Sequence, residues 1–356
     1  MIPTAQIDEY IRQEMKKQKI PGLSLGIIEN SQLIYGRGYG YANLEHQIPV
    51  KLETIFQSGS MGKQFTALAI MILVEREEID LDTPLKEYID DLPKKWKNIT
   101  VRHLLTHTSG LGDYPDEVDY TQEYTEEEMF EIIKKTSLEF QPGEQYSYSN
   151  LGYMTLGVLI QAITGEFYGD FLHANVFEPL GMKTARIISE SDIVMNRAAG
   201  YQLEDDQIKN QEWVSQSLNQ FADGALYLSI NDMVNYEKAF NTNQILKNRN
   251  SFDEMWGSFT LNDGTISSYG FGWSLDRTIN GKRVVHHGGT WQGFESFIIR
   301  VLSARFTVVI FANLYDADVE QIAYHVLELC NPQFTLRSNQ EEEEEEEEEE
   351  IFITTY

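Results

Sequence analysis

The chain has 356 residues and a mass of 41.0 kDa. Hydrophobic residues make up 42% and charged residues 24%, the balance of a globular protein, which excludes a wholly disordered chain and leaves ample material for a core. The net charge is −28, and −18 with the block of ten glutamates Glu341–Glu350 set aside, so phosphate backbones and anionic membrane surfaces are poor partners.

Apolar positions at Ile7, Ile11 and Met15 predict a helix over Ile7–Lys16, stopped by Ile20-Pro21-Gly22. Leu23–Ile28 and Leu33–Tyr35 read as strands with a tight turn at Asn30-Ser31. Ser60–Arg76 reads as a helix that is apolar nearly all round, from Met61 and Phe65 to Val74, and such a helix is buried. The pattern then stays mainly helical to about Ala239, with a second apolar helix over Ser149–Ile163 ended by Thr164-Gly165, a turn at Pro179–Met182, and a short helix over Asn231–Phe240. Strands return at Gly272–Arg277 and Lys282–His286 around an Asn280-Gly281 turn, then at Phe294–Val301 and Phe306–Asn313, before a closing helix over Val319–Leu329.

Strands at both ends and helices between them predict an α+β fold. One antiparallel sheet is built from the N- and C-terminal strands (about residues 1–58 and 265–335) and flanked by terminal helices, with a mainly helical region (about 59–264) inserted. Residues 1–340 form this domain and residues 341–356 an acidic low-complexity tail, expected to be solvated rather than a docking segment for a basic partner. No apolar run is long enough to span a membrane. The single cysteine, Cys330, excludes an internal disulfide. Met1-Ile2-Pro3-Thr4 opens without a basic segment and apolar run, so the chain as written is expected in the cytoplasm, or outside the cell if a leader has been removed.

No Gly-x-Ser-x-Gly elbow and no phosphate-cradling Gly-x-x-x-x-Gly-Lys occurs, which argues against an α/β-hydrolase and a P-loop enzyme. Ser60-Met61-Gly62-Lys63 places a lysine three residues after a serine at the start of the buried helix, within reach of its hydroxyl. A serine needs a base to become a nucleophile, and burial favours the neutral lysine that could be one. The four-residue motif recurs by chance; its place on the most apolar helix raises it above a helix cap and a surface lysine. Tyr148-Ser149-Asn150 offers a general acid/base and an amide, against the plain reading of a loop tyrosine and a helix cap. His286-His287-Gly288-Gly289-Thr290 offers backbone bare enough for a substrate to lie on and an N–H for an oxyanion, against a tight connection between strands. His103 and His107 are four apart, but no Glu follows His103 and no third ligand is evident, so hydrogen bonds fixing a loop are favoured over a metal.

The three motifs in this order resemble the serine β-lactamase and penicillin-binding-protein superfamily, in its class C-like branch of D-peptidases, esterases and β-lactamase-related proteins. That family reads Ser-x-x-Lys, Tyr-x-Asn and Lys-Thr-Gly or His-x-Gly; here these are Ser60/Lys63, Tyr148/Asn150 and His287/Gly289. Ile20-Pro21-Gly22, Thr100–Leu111, Phe140–Gly143, Pro179–Met182 and Ala222–Leu226 extend the likeness over about residues 5–330.

The resemblance implies a β-lactamase/transpeptidase-like fold and an acyl-enzyme on Ser60. Lys63 and Tyr148 would share the proton transfers, with the choice of base left open. The N–H groups of Ser60 and Thr290 would hold the oxyanion, and Asn150 would orient substrate and lysine. It implies no cofactor and no metal, and a small-molecule or peptide substrate: an ester, or an amide such as a D-amino-acid peptide. His287 stands where class C β-lactamases carry lysine, which disfavours strong β-lactamase activity, since histidine is largely neutral at pH 7. The alternatives are a modest β-lactamase, a catalytically silent binding protein that keeps the fold, and a hydrolase whose acidic tail is an interaction module. Loops 112–126 and 203–213 are expected to carry specificity.

Overall fold

A computed structural model describes residues 2–224 and 226–337; the glutamate block and the segment after it lie outside the described residues. Both ends of the chain build one seven-stranded antiparallel sheet. Its strands are β1 (Gly22–Glu29), β2 (Gln32–Asn43), β3 (Ile48–Pro49), β4 (Ser274–Arg277), β5 (Arg283–Trp291), β6 (Phe294–Val301) and β7 (Phe306–Ala312), in the spatial order β4-β5-β6-β7-β1-β2-β3. The first strand of this sheet in chain order therefore lies beside its last, with Leu23 opposite Ala312 and Glu29 opposite Phe306.

Local chemistry sets the strand connections. Asn30 and Ser31 both take positive φ, 50° and 62°, the left-handed pair that reverses a hairpin in two residues. Between β4 and β5 the Gly281 N–H donates to the Thr278 carbonyl at 2.8 Å, with Gly281 at φ 77°. Helix α1 (Thr4–Gln18) ends at Lys19, whose φ of 61° lets the Ile20 N–H reach back to the Met15 carbonyl.

Both faces of the sheet are covered, which is why β6 and β7 are buried along their whole length rather than alternating. Leu23, Leu25 and Ile27 of β1 with Val308 and Ile310 of β7 pack under α1 and the closing helix α5 (Val319–Cys330). Ile28, Ile298, Val309 and Phe311 meet the helical region on the other face. There α2 (Lys63–Glu75) and α3 (Asn150–Thr164) share one core, and α4 (Ile230–Asn241) lies against β1. A side chain at Gly26 would put its Cβ 2.8 Å from Ile230, so glycine sets how closely α4 approaches. Under α4, the buried Arg300 of β6 pairs with Glu237, whose other carboxylate oxygen accepts from Thr307 at 2.9 Å.

Several elements differ from the sequence reading. The inserted region is not only helical: Arg186–Ile187 and Leu226–Leu228 form a small sheet with Phe56–Gln57, which lies just before the region and outside the large sheet, and Tyr201–Glu204 with Gln207–Asn210 forms a hairpin. These pieces are too short to show a period. Pro179–Met182 is the end of a helical turn, Glu178–Leu180, stopped by Gly181 at φ 72°. The strand predicted over Lys282–His286 continues to Trp291, because Gly288 and Gly289 pair with Phe297 and Ser296 on β6. The two glycines hide a strand that backbone pairing sustains. No helix among the described residues is long and apolar enough to cross a membrane.

Candidate active site

Ser60 lies on a 3-10 turn, Gly59–Gly62, that leads into α2, rather than on the α-helix itself. Residues i and i+3 eclipse in a 3-10 turn, so Ser60 and Lys63 still share one side. Neighbours hold the turn from three directions. The Ser58 N–H donates to the Leu226 carbonyl at 2.9 Å, its hydroxyl to the Gly224 carbonyl at 2.9 Å, and Ser296 of β6 donates to the Ser58 carbonyl at 2.6 Å. These approaches demand bare backbone. A Cβ on Gly289 would lie 2.0 Å from the Ser58 carbonyl oxygen, and one on Gly59 would lie 2.7 Å from the Thr290 nitrogen. Gly59 also sits at φ 51°, so the turn has both a steric and a conformational reason for glycine.

Lys63 is fully buried at the head of a helix whose residues through Leu73 are all buried. Its Nζ lies 3.0 Å from Ser60 Oγ, 2.6 Å from Asn150 Oδ1 and 2.6 Å from the Asp223 carbonyl. An ammonium fills these positions with its three N–H groups. A neutral amine fills them equally well, with two N–H groups on Asn150 and Asp223 and its lone pair toward the Ser60 hydroxyl. Burial pulls the Lys63 pKa down to about 8, against the fields of Asp223 and Asp113, which favour the cation.

Tyr148 and Asn150 reach the site from the start of α3, where Ser149 is the N-cap and accepts from the Gly152 N–H at 2.9 Å. The Tyr148 ring lies 4.9 Å below Lys63 Nζ. Its hydroxyl is buried without a formed hydrogen bond. Burial pushes its pKa well above the usual phenol value, and the Ser60 hydroxyl offsets this only in part. Asn150 Nδ2 donates to both Asp113 carboxylate oxygens, at 2.9 and 3.1 Å. His107 packs on the Tyr148 ring at 4.3 Å between centroids and accepts the Ser149 N–H on Nδ1 at 3.0 Å. His103 closes a capping box with Thr100. Both histidines fix loops.

Strand β5 forms the opposite wall. His286 faces α5, against Phe297 and Tyr324, while His287 faces Tyr148 across 6.1 Å, so strand alternation separates the pair. His287 Nδ1 donates to the Gly288 carbonyl at 2.5 Å and its Nε2 accepts from the Tyr269 hydroxyl at 2.8 Å. Burial first, then the Lys63 charge, lowers its pKa to about 3 and keeps it neutral. The Thr290 hydroxyl donates to Glu295 at 2.8 Å; Glu295 also accepts the Asp316 N–H at 3.0 Å, and burial raises its pKa to about 7.

A cleft passes Ser60 on two sides. One lobe, of about 310 Å³, is bounded by Asp113, Tyr114, Tyr120, Asp223 and Trp291; the other, of about 390 Å³, by Tyr148, Tyr269, His287 and Glu295; Ser60 and Thr290 line both. All the residues singled out in the sequence, namely Ser60, Lys63, Tyr148, Asn150, His287, Gly289 and Thr290, meet here. Sequence reading assigned no role to Asp113, Tyr114, Asp223, Trp291, Tyr269 or Glu295. Asp113 stood in a loop marked for specificity and Asp223 in a stretch matched to the family, but neither carries a spacing that signals chemistry.

The Beta-lactamase family model matches residues 7–331. The chain is 27% identical over 321 residues to penicillin-binding protein 4* of Bacillus subtilis, an alignment covering 84% of this chain and 70% of that one. It is 26% identical to the D-aminopeptidase of Brucella anthropi, over 92% of this chain and 62% of that one. It thus spans roughly two thirds of the length of these curated relatives. The solved octameric penicillin-binding protein homologue from Pyrococcus abyssi superposes with a TM-score of 0.82 at 27% identity, covering 94% of this chain and 79% of that one. With a family match over most of its length, a large antiparallel sheet closed by both termini and this serine–lysine cleft, the chain belongs to the Beta-lactamase family of serine hydrolases.

Proposed function

We propose that the protein hydrolyses a small ester or amide through an acyl-enzyme on Ser60. The observation that carries this reading is the 3.0 Å approach of the fully buried Lys63 amine to the Ser60 hydroxyl. The neutral amine takes the Ser60 proton as Oγ bonds to the substrate carbonyl carbon. The N–H groups of Ser60 and Thr290 receive the oxyanion. Tyr148 keeps its proton at neutral pH, so it serves as a donor to the departing oxygen or nitrogen, and Lys63 as the base. Collapse of the intermediate breaks the bond to the leaving group. Water then attacks the acyl-enzyme, gives its proton back through the same groups, and releases the acid.

Asn150 links Lys63 to Asp113 and so orients the amine. A neutral His287, already bonded at both ring nitrogens, offers no cation to a substrate carboxylate. The D-aminopeptidase relative supports an amide among the substrates. The test is intact mass after exposure to a fluorophosphonate, with wild type beside Ser60→Ala. One adduct on wild type and none on the variant is expected. Folded wild type that stays unlabelled would return the silent binding protein to the front.

A further inference from the structure

His107 lies just past the short helix Val101–Leu105, 1% exposed and at φ 57°. Left-handed backbone is uncommon for residues other than glycine, which adopts it freely. The turn alone would be better served by glycine, so the reason for histidine lies in its side chain.

Three contacts join His107 to Tyr148 and its neighbours. The His107 carbonyl accepts the Ser147 N–H at 3.0 Å and its Nδ1 accepts the Ser149 N–H at 3.0 Å, so the residues before and after Tyr148 are both tied to it. The imidazole packs on the Tyr148 ring, with 4.3 Å between centroids and 35° between planes. Tyr153 at 5.0 Å and Tyr269 at 4.6 Å back the imidazole, and both are anchored through their hydroxyls, to the Leu105 carbonyl at 2.9 Å and to His287 Nε2 at 2.8 Å. The Tyr148 hydroxyl has no hydrogen bond of its own to aim it. Its aim therefore depends on what grips its backbone and ring.

The chemistry of that grip selects imidazole. Nδ1 is an acceptor, so the proton sits on Nε2, which is buried without a hydrogen-bond partner. An apolar ring would avoid this orphan but would leave the buried Ser149 N–H unpaired. Asparagine tolerates the left-handed turn and offers an acceptor, but it has no ring to pack on Tyr148. Burial, then the Lys63 charge, holds the His107 pKa well below its usual value and keeps the accepting form.

We propose that His107 is a positioning residue for acylation: by fixing the backbone on both sides of Tyr148 and the tilt of its ring, it holds the Tyr148 hydroxyl beside Ser60, where it gives its proton to the leaving atom. This rests on the reading of Tyr148 as proton donor in the Ser60 acyl-enzyme reaction and deepens it. As the bond from the carbonyl carbon to the leaving atom breaks, its electron pair takes the Tyr148 proton. The Lys63 ammonium, which carries the proton from Ser60, then restores the phenol.

Two esters with one acyl group test this. The nitrophenolate of p-nitrophenyl acetate departs at neutral pH without a proton, whereas the alkoxide of trifluoroethyl acetate needs one. The readout is the trifluoroethyl-to-nitrophenyl ratio of kcat/KM, for His107→Ala, His107→Asn, Tyr148→Phe and the two double variants. Tyr148→Phe should lower the ratio by about 100-fold, and His107→Ala by about 10- to 100-fold. His107→Asn keeps the turn and an acceptor, so its ratio should fall between His107→Ala and wild type; it carries the comparison if His107→Ala does not fold. In the Tyr148→Phe background neither His107 change should move the ratio by more than about twofold, because the group it positions is gone. A His107 change that slows both esters equally, or that lowers the ratio as much without the Tyr148 hydroxyl as with it, would overturn the positioning role. An unchanged ratio in Tyr148→Phe would overturn the donor reading and the positioning role together, and leave the acyl-enzyme standing. Unchanged turnover in Ser60→Ala would overturn the acyl-enzyme itself.

Discussion

The rate at which Ser60 is acylated should follow the ionisation of Lys63, and the structure sets both the midpoint and the slope. Burial brings Lys63 to about 8 from an ordinary value of 10.5. The neutral fraction is then about one part in a hundred at pH 6, one in ten at pH 7 and half at pH 8. The second-order rate of fluorophosphonate labelling should rise about tenfold per pH unit up to about pH 7.5 and level off above about pH 9. The opposing fields fix a second sign. Asp113 and Asp223 favour the ammonium, so Asp113→Asn should move the midpoint to lower pH even as it lowers the plateau. Tyr148→Phe should reduce the plateau and leave the midpoint in place, because the tyrosine keeps its proton throughout this range. A rate flat from pH 6 to 9 would refute Lys63 as the base. A midpoint that disappears in Tyr148→Phe would transfer that role to the tyrosine.

Gly289→Ala would place a methyl 2.0 Å from the Ser58 carbonyl and 2.7 Å from the Met61 nitrogen. It should push β5 off the serine turn, costing about 1–3 kcal/mol in a urea melt and over about tenfold in labelling rate; unchanged kinetics would show that the turn does not depend on the strand. Arg300→Met strands Glu237, 1% exposed, without its partner at 2% exposure, and should destabilise by about 3–5 kcal/mol, while Arg300→Met with Glu237→Leu should recover much of the loss. Glu295 has its pKa raised to about 7, so the folded state binds more protons than the unfolded one between roughly pH 4.5 and 7, and stability falls as pH rises through that window. Urea melts at pH 5 and pH 8 should show Glu295→Gln gaining on wild type by up to about 3 kcal/mol at the higher pH; parallel behaviour would place Glu295 in water. Cephalosporin turnover should be slower than ester turnover, since among the described residues no lysine or arginine lines either lobe to hold the cephalosporin carboxylate, and an efficient cephalosporinase would overturn that account of His287.

The sequence by itself determined the parts that local chemistry dictates. Asn30-Ser31 and Asn280-Gly281 reverse the chain whatever surrounds them. The apolar circumference of α2 marks it for burial, and the three-residue offset of Ser60 and Lys63 survives even though Ser60 turned out to lie on a 3-10 turn. The order of the three motifs was enough to reach the family. Only the tertiary structure decided what depends on distant backbone. The strand through Gly288 and Gly289 exists because β6 pairs with it. The short strand Leu226–Leu228 exists because Phe56–Gln57 and Arg186–Ile187 flank it. Asp113 and Asp223, 110 positions apart in the chain, reach one lobe because Asn150 and Lys63 gather them. Their chemistry comes from that meeting and from the Lys63 amine whose charge they favour. No spacing along the chain encodes either, whereas a turn or a helix face is encoded within a few residues.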